Sequence, residues 1–314
     1  VPRFAPVPLP SGDPDLITGQ VHAWITADPM RALVAAFDGD LPDLAPEKLL
    51  HWLDDFSATH WDFRRAAGVE RDQVTPQTFT PETIATVRDA ATALGLAAAR
   101  PPSRSHYDHV LILGGLGRAC LQRVAHTAAL IHAGLTASSV AALGSFRPLS
   151  PTERTEPGLT DATHEVDAME IAVRASFGFS AAPEVTCEDG PIGHDSWSIR
   201  TFGTVHVLAA PSSEPEKRRA HTPDTYDFWA RRFPLRPHQR FLIVTSPIYV
   251  PFQHCDAIRM LGLPHHCEIE TIGFDPALAV PPQLPSASAA DRYLQETRST
   301  ILSMQRLLAA LPQS

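Results

Sequence analysis

From Asp108 onward the chain repeats one unit: a short, continuously apolar run, then a longer stretch with helical spacing. The runs are "HVLILGG" (109–115), "SSVAALGS" (138–145), "VHVLAAP" (205–211), "RFLIVTSP" (240–247) and "CEIETIGFD" (267–275). Unbroken apolarity over so few residues suits a strand buried on both faces. Parallel strands need crossovers, and the intervening helical stretches supply them. The expected fold is α/β, a Rossmann-like three-layer α/β/α arrangement with a mostly parallel sheet of about five strands. Residues 181–203, with Gly190, Gly193 and "DSWSIRTFG", read as an inserted loop or hairpin.

The flanks differ. Residues 1–105 read as an N-terminal proline-rich arm and a helical region. "APEKLLHWLDDFSATHW" has Pro46 in its first turn and Leu49, Leu50, Leu53 and Phe56 on one stripe. "TPETIATVRDAATALGLAAA" has Thr80 as its N-cap. "HWDFRRAAGVERDQ" (60–73) reads as a helix end packed on its neighbour or as a ligand-facing loop, with packing the default. The prolines of "AARPPSRSHYD" mark a boundary. Residues 106–280 form the α/β unit with its ligand crevice. Residues 281–314 are a linker and a last helix, from about Ser288 to Leu311. Its stripe of Leu294, Ile301, Met304, Leu308 and Leu311 is expected to pack on the N-terminal helices.

Composition narrows the partners. The net charge of −9, with no long basic run, argues against nucleic acid. No apolar run has the length of a bilayer span, and no signal-peptide pattern opens the chain, so a cytoplasmic location is expected and a membrane partner is not. Cys120, Cys187, Cys255 and Cys267 are scattered and read as free thiols. No metal site is expected, because the adjacent histidines of "PHHCE" point in different directions.

The first strand runs into Gly114, Gly115 and Gly117 and then a helix. The dinucleotide fingerprint G-x-G-x-x-G is matched twice, with Cys120 in its third place. The acid expected after the second strand is missing, since "LGSFRP" holds Arg147 instead. That disfavours NAD and leaves NADP, with Arg147 on a phosphate. In open α/β sheets ligands bind at the carboxyl ends of strands. The tips Gly114–Arg118, Gly144–Arg147, Pro211–Ser213 and Thr245–Tyr249 are expected to share one crevice. Each taken singly also reads as a tight turn.

The order of these motifs resembles the YdcF/SanA/ElyC-like proteins, the family of domain of unknown function 218. The resembling segments are "LGGLGRACLQRVAHTAALIHAGL", "ALGS", "THEVDAM", "PDTYDFW" and "VTSPIYVPFQHCDAIRMLGL", across roughly residues 106–275. Gly114, Gly115, Arg123, Gly144, Glu165, Thr225, Thr245 and Ser246 fit the family pattern. Asp224 and Asp227 stand where Asn and Glu are usual, Tyr249 replaces a His, and Phe252 replaces an Arg. The loss of that cation puts a phosphate ligand in doubt. The resemblance implies a Rossmann-like fold, a link to bacterial envelope maintenance and an S-adenosylmethionine-like or nucleotide-like ligand.

For chemistry, "TDATHEVDAME" places Asp161, His164 and Glu165 on neighbouring turns if helical, a general acid/base cluster. The other reading is a cap, with Asp161 as N-cap and Glu165 solvated. Thr225 and Asp227 either face the crevice or belong to a helix capped by Thr222 or Asp224. The expected cofactor contacts are Gly114, Gly115, Gly117, Arg118, Gly144, Ser145, Arg147, Thr225, Thr245, Ser246 and Tyr249. The leading expectation is an S-adenosylmethionine-dependent transferase acting on a small molecule, with its terminal helices able to pair two copies as a homodimer. The alternatives are a non-catalytic binding or regulatory protein of envelope metabolism and an NADP-dependent oxidoreductase.

Overall fold

In the computed structural model, which describes residues 3–63, 77–97, 99–275 and 290–312, every one of the five apolar runs is a strand. They are β1 (His106–Leu113), β2 (Thr136–Gly144), β5 (Val205–Ala209), β6 (Arg240–Thr245) and β7 (Glu268–Gly273). All five run parallel. Residues 181–203 contain a hairpin, β3 (Glu184–Glu188) and β4 (Trp197–Phe202), whose second strand pairs antiparallel with β5. The sheet is therefore mixed and seven-stranded, not five-stranded, in the order β3-β4-β5-β2-β1-β6-β7. Of the two readings of residues 181–203, loop or hairpin, the hairpin holds, although β3 is exposed along its whole length and carries no apolar run.

Alternate strand residues enter two separate cores. Val110 and Ile112 of β1 pack with Cys120 and Val124 of α5 (Gly117–His132) and with Val166 and Met169 of α7 (Glu165–Phe177). Leu111 and Leu113 pack instead with Tyr226 and Trp229 of α8 (Thr222–Arg232), and Ala257 of α9 (Val250–Ala257) joins them. So the adjacent strands β1 and β6 send their following helices into different cores. Parallel neighbours whose connections part in this way leave a crevice at their carboxyl ends.

A third core lies beyond the sheet. It joins α1 (Pro14–Ile25), α2 (Asp28–Ala35), α3 (Pro46–His60) and α4 (Pro81–Ala93) to Cys255 and Ile258 and to α10 (Ala290–Ala309). Leu294, Ile301 and Met304 are buried there, and Leu308 and Leu311 pack against it, so the last helix does lie on the N-terminal ones. Thr80 caps α4 as expected, its hydroxyl accepting the Thr83 amide at 3.2 Å.

Two helix starts differ from expectation. α7 begins at Glu165, capped by His164 in a box with Asp167, so Asp161 precedes the helix and caps nothing there. α8 is capped by His221 in a box with Asp224, and Thr222 is its first residue. The proposed linker "LAVPPQLPSASA" and most of "HWDFRRAAGVERDQ" lie outside the described residues. No helix among the described residues is long and apolar enough to cross a membrane.

Candidate functional site at the strand tips

The tips of β1 and β2 meet under one carboxyl group. The Ser145 hydroxyl donates to Glu165 Oε2 at 2.6 Å. Gly114 is obligatory there, because a Cβ would stand 2.4 Å from Glu165 Oε1 and 2.7 Å from the Leu143 carbonyl oxygen. Gly144 lies on the same side group, its own Cβ position 3.6 Å from Glu165 Cγ. Burial raises the Glu165 pKa above its ordinary 4.5, against the pull of Arg147, Ser145, Arg219 and Arg123. A carboxyl excluded from water holds its proton longer. Burial likewise pushes the nearby Cys120 thiol up to about 12, with Glu165 adding to it, which makes a poor nucleophile.

Beside it, the helix start that would hold a cofactor phosphate is already occupied. The Gly117 amide donates to Glu153 Oε1 at 2.8 Å. Arg147 grips the same carboxylate with both terminal nitrogens, at 2.8 and 2.9 Å, and also donates to the Gly115 carbonyl. Both members are buried. Burial opposes ionisation of Glu153, but Arg147 and the Ser150 and Gly117 amides bring its pKa down to about 2. Leu159 fills the space over Gly117, its Cδ1 2.5 Å from where a Cβ would be. Arg118 pairs with Glu156 at 2.9 Å. Of the expected phosphate contacts, Gly117, Arg118 and Arg147 are thus engaged with the segment around α6 (Pro151–Arg154).

Arg123 closes the crevice between β1 and β6. It is 2% exposed and donates to the Leu113 and Gly114 carbonyls at the β1 tip. From the other side its Nε and Nη2 reach the Ser246 hydroxyl at 3.2 and 3.0 Å, and its guanidinium lies over the Tyr249 ring. Arg123 shares the buried stripe of Cys120, Val124 and Thr127. Beside its place in the motif pattern above, its charge on an apolar helical face is the sequence signal that marks it. Glu153 and Tyr226 had no such mark.

The remaining expected residues fall elsewhere. His164 is half-buried, with Nδ1 near the Thr163 hydroxyl at 2.9 Å and its ring edge-on to Phe146, while Asp161 is exposed. Glu165 therefore takes Ser145, not His164, as its hydrogen-bond partner. Thr225 donates back to the Thr222 carbonyl, and Asp227 pairs with Arg231 on the half-exposed side of α8. Asp224 is buried. Burial opposes its charge, yet His221, Arg218 and the Ser213 amide hold its pKa far below the ordinary carboxylate range. Among the described residues no group of three His, Cys, Asp or Glu side chains could hold a metal.

A cavity of about 220 Å³ opens at the other, amino edge of the sheet, lined by Tyr107, Arg104, Arg240, Glu268 and Glu270. Its charges neutralise one another: Glu270 accepts from Ser103 and Tyr107, and Glu268 lies between Arg104 and Arg240. The strand tips hold the perturbed acid, and we place the candidate site there.

Residues 9–95, from just before α1 to just past α4, match the model of the Rv3785 N-terminal domain. Across 96% of its length the chain is 30% identical to the uncharacterized protein Rv3785 of Mycobacterium tuberculosis (strain ATCC 25618 / H37Rv), covering 93% of that protein. The chain belongs to the Rv3785 family. The uncharacterized protein Mb3814 of Mycobacterium bovis matches over the same shares at the same identity. No solved structure matches. These matches overturn the resemblance to the YdcF/SanA/ElyC-like proteins. The N-terminal helices lie outside that resemblance, whereas the Rv3785 relatives match through them and the sheet alike. Generic strand-tip glycines had suggested the wrong relatives.

Proposed function

We propose that this member of the Rv3785 family is an enzyme acting on a small molecule at the carboxyl edge of its sheet, with Glu165 moving the proton. The order β5-β2-β1-β6-β7 of the parallel strands, with helices between them, supports a Rossmann-like three-layer arrangement. The observation that carries the proposal is Glu165 itself. A buried carboxyl with raised pKa, hydrogen-bonded to Ser145 at the tips of two parallel strands, suits a general acid and base. Structural carboxylates such as Glu153 are driven the other way by their cations. Group transfer fits this carboxyl: once ionised, Glu165 would take the proton that an acceptor hydroxyl or amine gives up, and the neutral carboxyl so formed is the form that burial favours.

The S-adenosylmethionine expectation came with the discarded resemblance, and the geometry adds nothing to it. The NADP expectation is disfavoured by the Glu153 carboxylate on the Gly117 amide and on Arg147. The test has two arms. Wild type and Glu165→Gln are incubated with a pooled small-molecule extract and followed by mass spectrometry; conversion is expected with wild type and at least a hundredfold less with the variant, roughly the contribution of acid–base catalysis. Carbon-13 NMR then titrates the Glu165 carboxyl. Equal conversion by both proteins, or a Glu165 that titrates in the ordinary glutamate range, defeats the proposal.

A further inference from the structure

We propose that α8 is a movable cover over the strand tips, and that the molecule bound beneath it presents hydroxyl groups to Tyr226, Thr245 and Gln253. The inference rests on the strand-tip site proposed above and deepens it to a substrate class. Tyr226 and Thr245 are fully buried and Gln253 is nearly so. Yet Tyr226 Oη, Thr245 Oγ1 and Gln253 Oε1 find no hydrogen-bond partner among the described residues. Buried polar atoms are nearly always paired, and an unpaired one costs its full desolvation.

These atoms belong to one interface. Thr245 continues the strand face of Phe241 and Ile243, whose core also holds Tyr226. Gln253, on α9, reaches across to α8, its Nε2 3.4 Å from Thr222 Oγ1. Thr222 and Tyr226 are one helical turn apart and share a face. Arg123, which bonds the Ser246 hydroxyl next to Thr245, exerts its charge on both Tyr226 and Glu165. Arg123 thus lies within charge range of both Tyr226 and the candidate acid.

The chemistry of the atoms selects the ligand. Two hydroxyls can give or take a hydrogen bond, while an amide oxygen can only take one. An alcohol does both and satisfies all three. A carboxylate or phosphate only accepts, and would face Gln253 Oε1 unpaired. In this closed arrangement none of the three atoms reaches solvent, so entry requires α8 to move. On its outer side the Asp227–Arg231 pair lies within α8 itself and ties the helix to nothing else; the polar ties from α8 to its surroundings include Arg218 on Asp224 at its start and Arg232 over the Trp197 ring at its end.

Hydrogen exchange and thermal melting test this with glycerol, D-ribose and myo-inositol as probes on the full chain. In the probe-free protein the amides of α8 are expected to exchange faster than those of α5. At least one probe slows that exchange and raises the Tm. Tyr226→Phe and Thr245→Val, each removing one unpaired hydroxyl with little change of shape, are expected to keep or raise the probe-free Tm and to lose the probe effect. A lower probe-free Tm in both variants shows that the hydroxyls are satisfied inside the fold and overturns the inference. So does exchange of α8 that no probe slows. Both variants leave Glu165 intact. Loss of these effects with Glu165 still titrating high sinks this inference alone; a normal Glu165 titration sinks the acid–base proposal alone.

Discussion

The carboxylate of Glu153 sits on the first amide of α5, 2.8 Å from the nitrogen of Gly117, where a strand–glycine–helix turn in other α/β proteins offers its amides to an anionic ligand. Here the protein supplies the anion, and Arg147 neutralises it. Removing one member of a buried pair strands the other. Glu153→Ala is therefore expected to cost about 3–5 kcal/mol in urea unfolding, whereas joint replacement of Glu153 and Arg147 by apolar residues costs clearly less than the two single changes summed. The pH dependence has a definite sign. The folded pKa of Glu153, about 2, is below its ordinary 4.5, so its stabilisation is present above pH 4.5 and is lost as pH falls toward 2. Glu153→Gln flattens the stability profile in that window.

Glu165 has the opposite sign. Its folded pKa is raised, so the neutral form suits the fold, and stability is lost as pH rises from 4.5 through the folded value. Glu165→Gln keeps an acceptor for the Ser145 hydroxyl but has no charge to bury. Its Tm is expected to equal that of wild type below pH 4.5 and to exceed it increasingly above, until the wild-type carboxyl has ionised. A variant that melts below wild type across the whole range shows that Glu165 is held as a carboxylate instead.

These two glutamates also mark what the sequence could and could not reveal. All five parallel strands were legible, because strands covered on both faces leave unbroken apolar runs such as "FLIVT". The strand-tip position of Gly114, Gly144 and Thr245 followed from that order. The hairpin strand β3 was not legible as more than a loop or hairpin, because its side chains meet water on both faces. The start of α7 falls later than an Asp161 cap would put it, because His164, in a box with Asp167, caps the helix. The Arg147–Glu153 grip was invisible: it depends on how a turn-rich segment folds back over α5, and local spacing does not encode that.

Glycine substitutions separate packing from chain entropy. A methyl at Gly114 would collide with both Glu165 and the Leu143 carbonyl, and a backbone oxygen cannot swing away. Gly114→Ala is expected to cost roughly 1–3 kcal/mol, as overpacking does, and to break the Ser145–Glu165 contact. Gly19 lies inside α1, where a methyl meets nothing within 4 Å. Gly19→Ala should stabilise by about 0.5–1 kcal/mol, since alanine loses less freedom in a helix. Urea melts of the two variants are expected to move in opposite directions.

His254 fastens the N-terminal arm. Its ring is buried, with Nε2 donating to the Pro10 carbonyl at 2.8 Å and Nδ1 3.0 Å from the Thr271 hydroxyl. Burial lowers its pKa below 6.5, against the pull of the Pro10 carbonyl and of Glu270. A depressed folded pKa means that its stabilisation is present above pH 6.5 and is lost as pH falls through the folded value. Cleavage by chymotrypsin after Phe4 reports whether the arm is docked. His254→Ala leaves the Pro10 carbonyl without its donor and is expected to cost about 1–3 kcal/mol. The variant should be cut faster than wild type at neutral pH. Wild type should be cut faster as pH falls through the folded value, measured relative to an unstructured peptide carrying the same site so that the protease's own pH dependence cancels. Cutting of His254→Ala at the wild-type rate would mean that the arm is held by Val7 and Leu9 packing on the helical core, with the histidine contributing nothing.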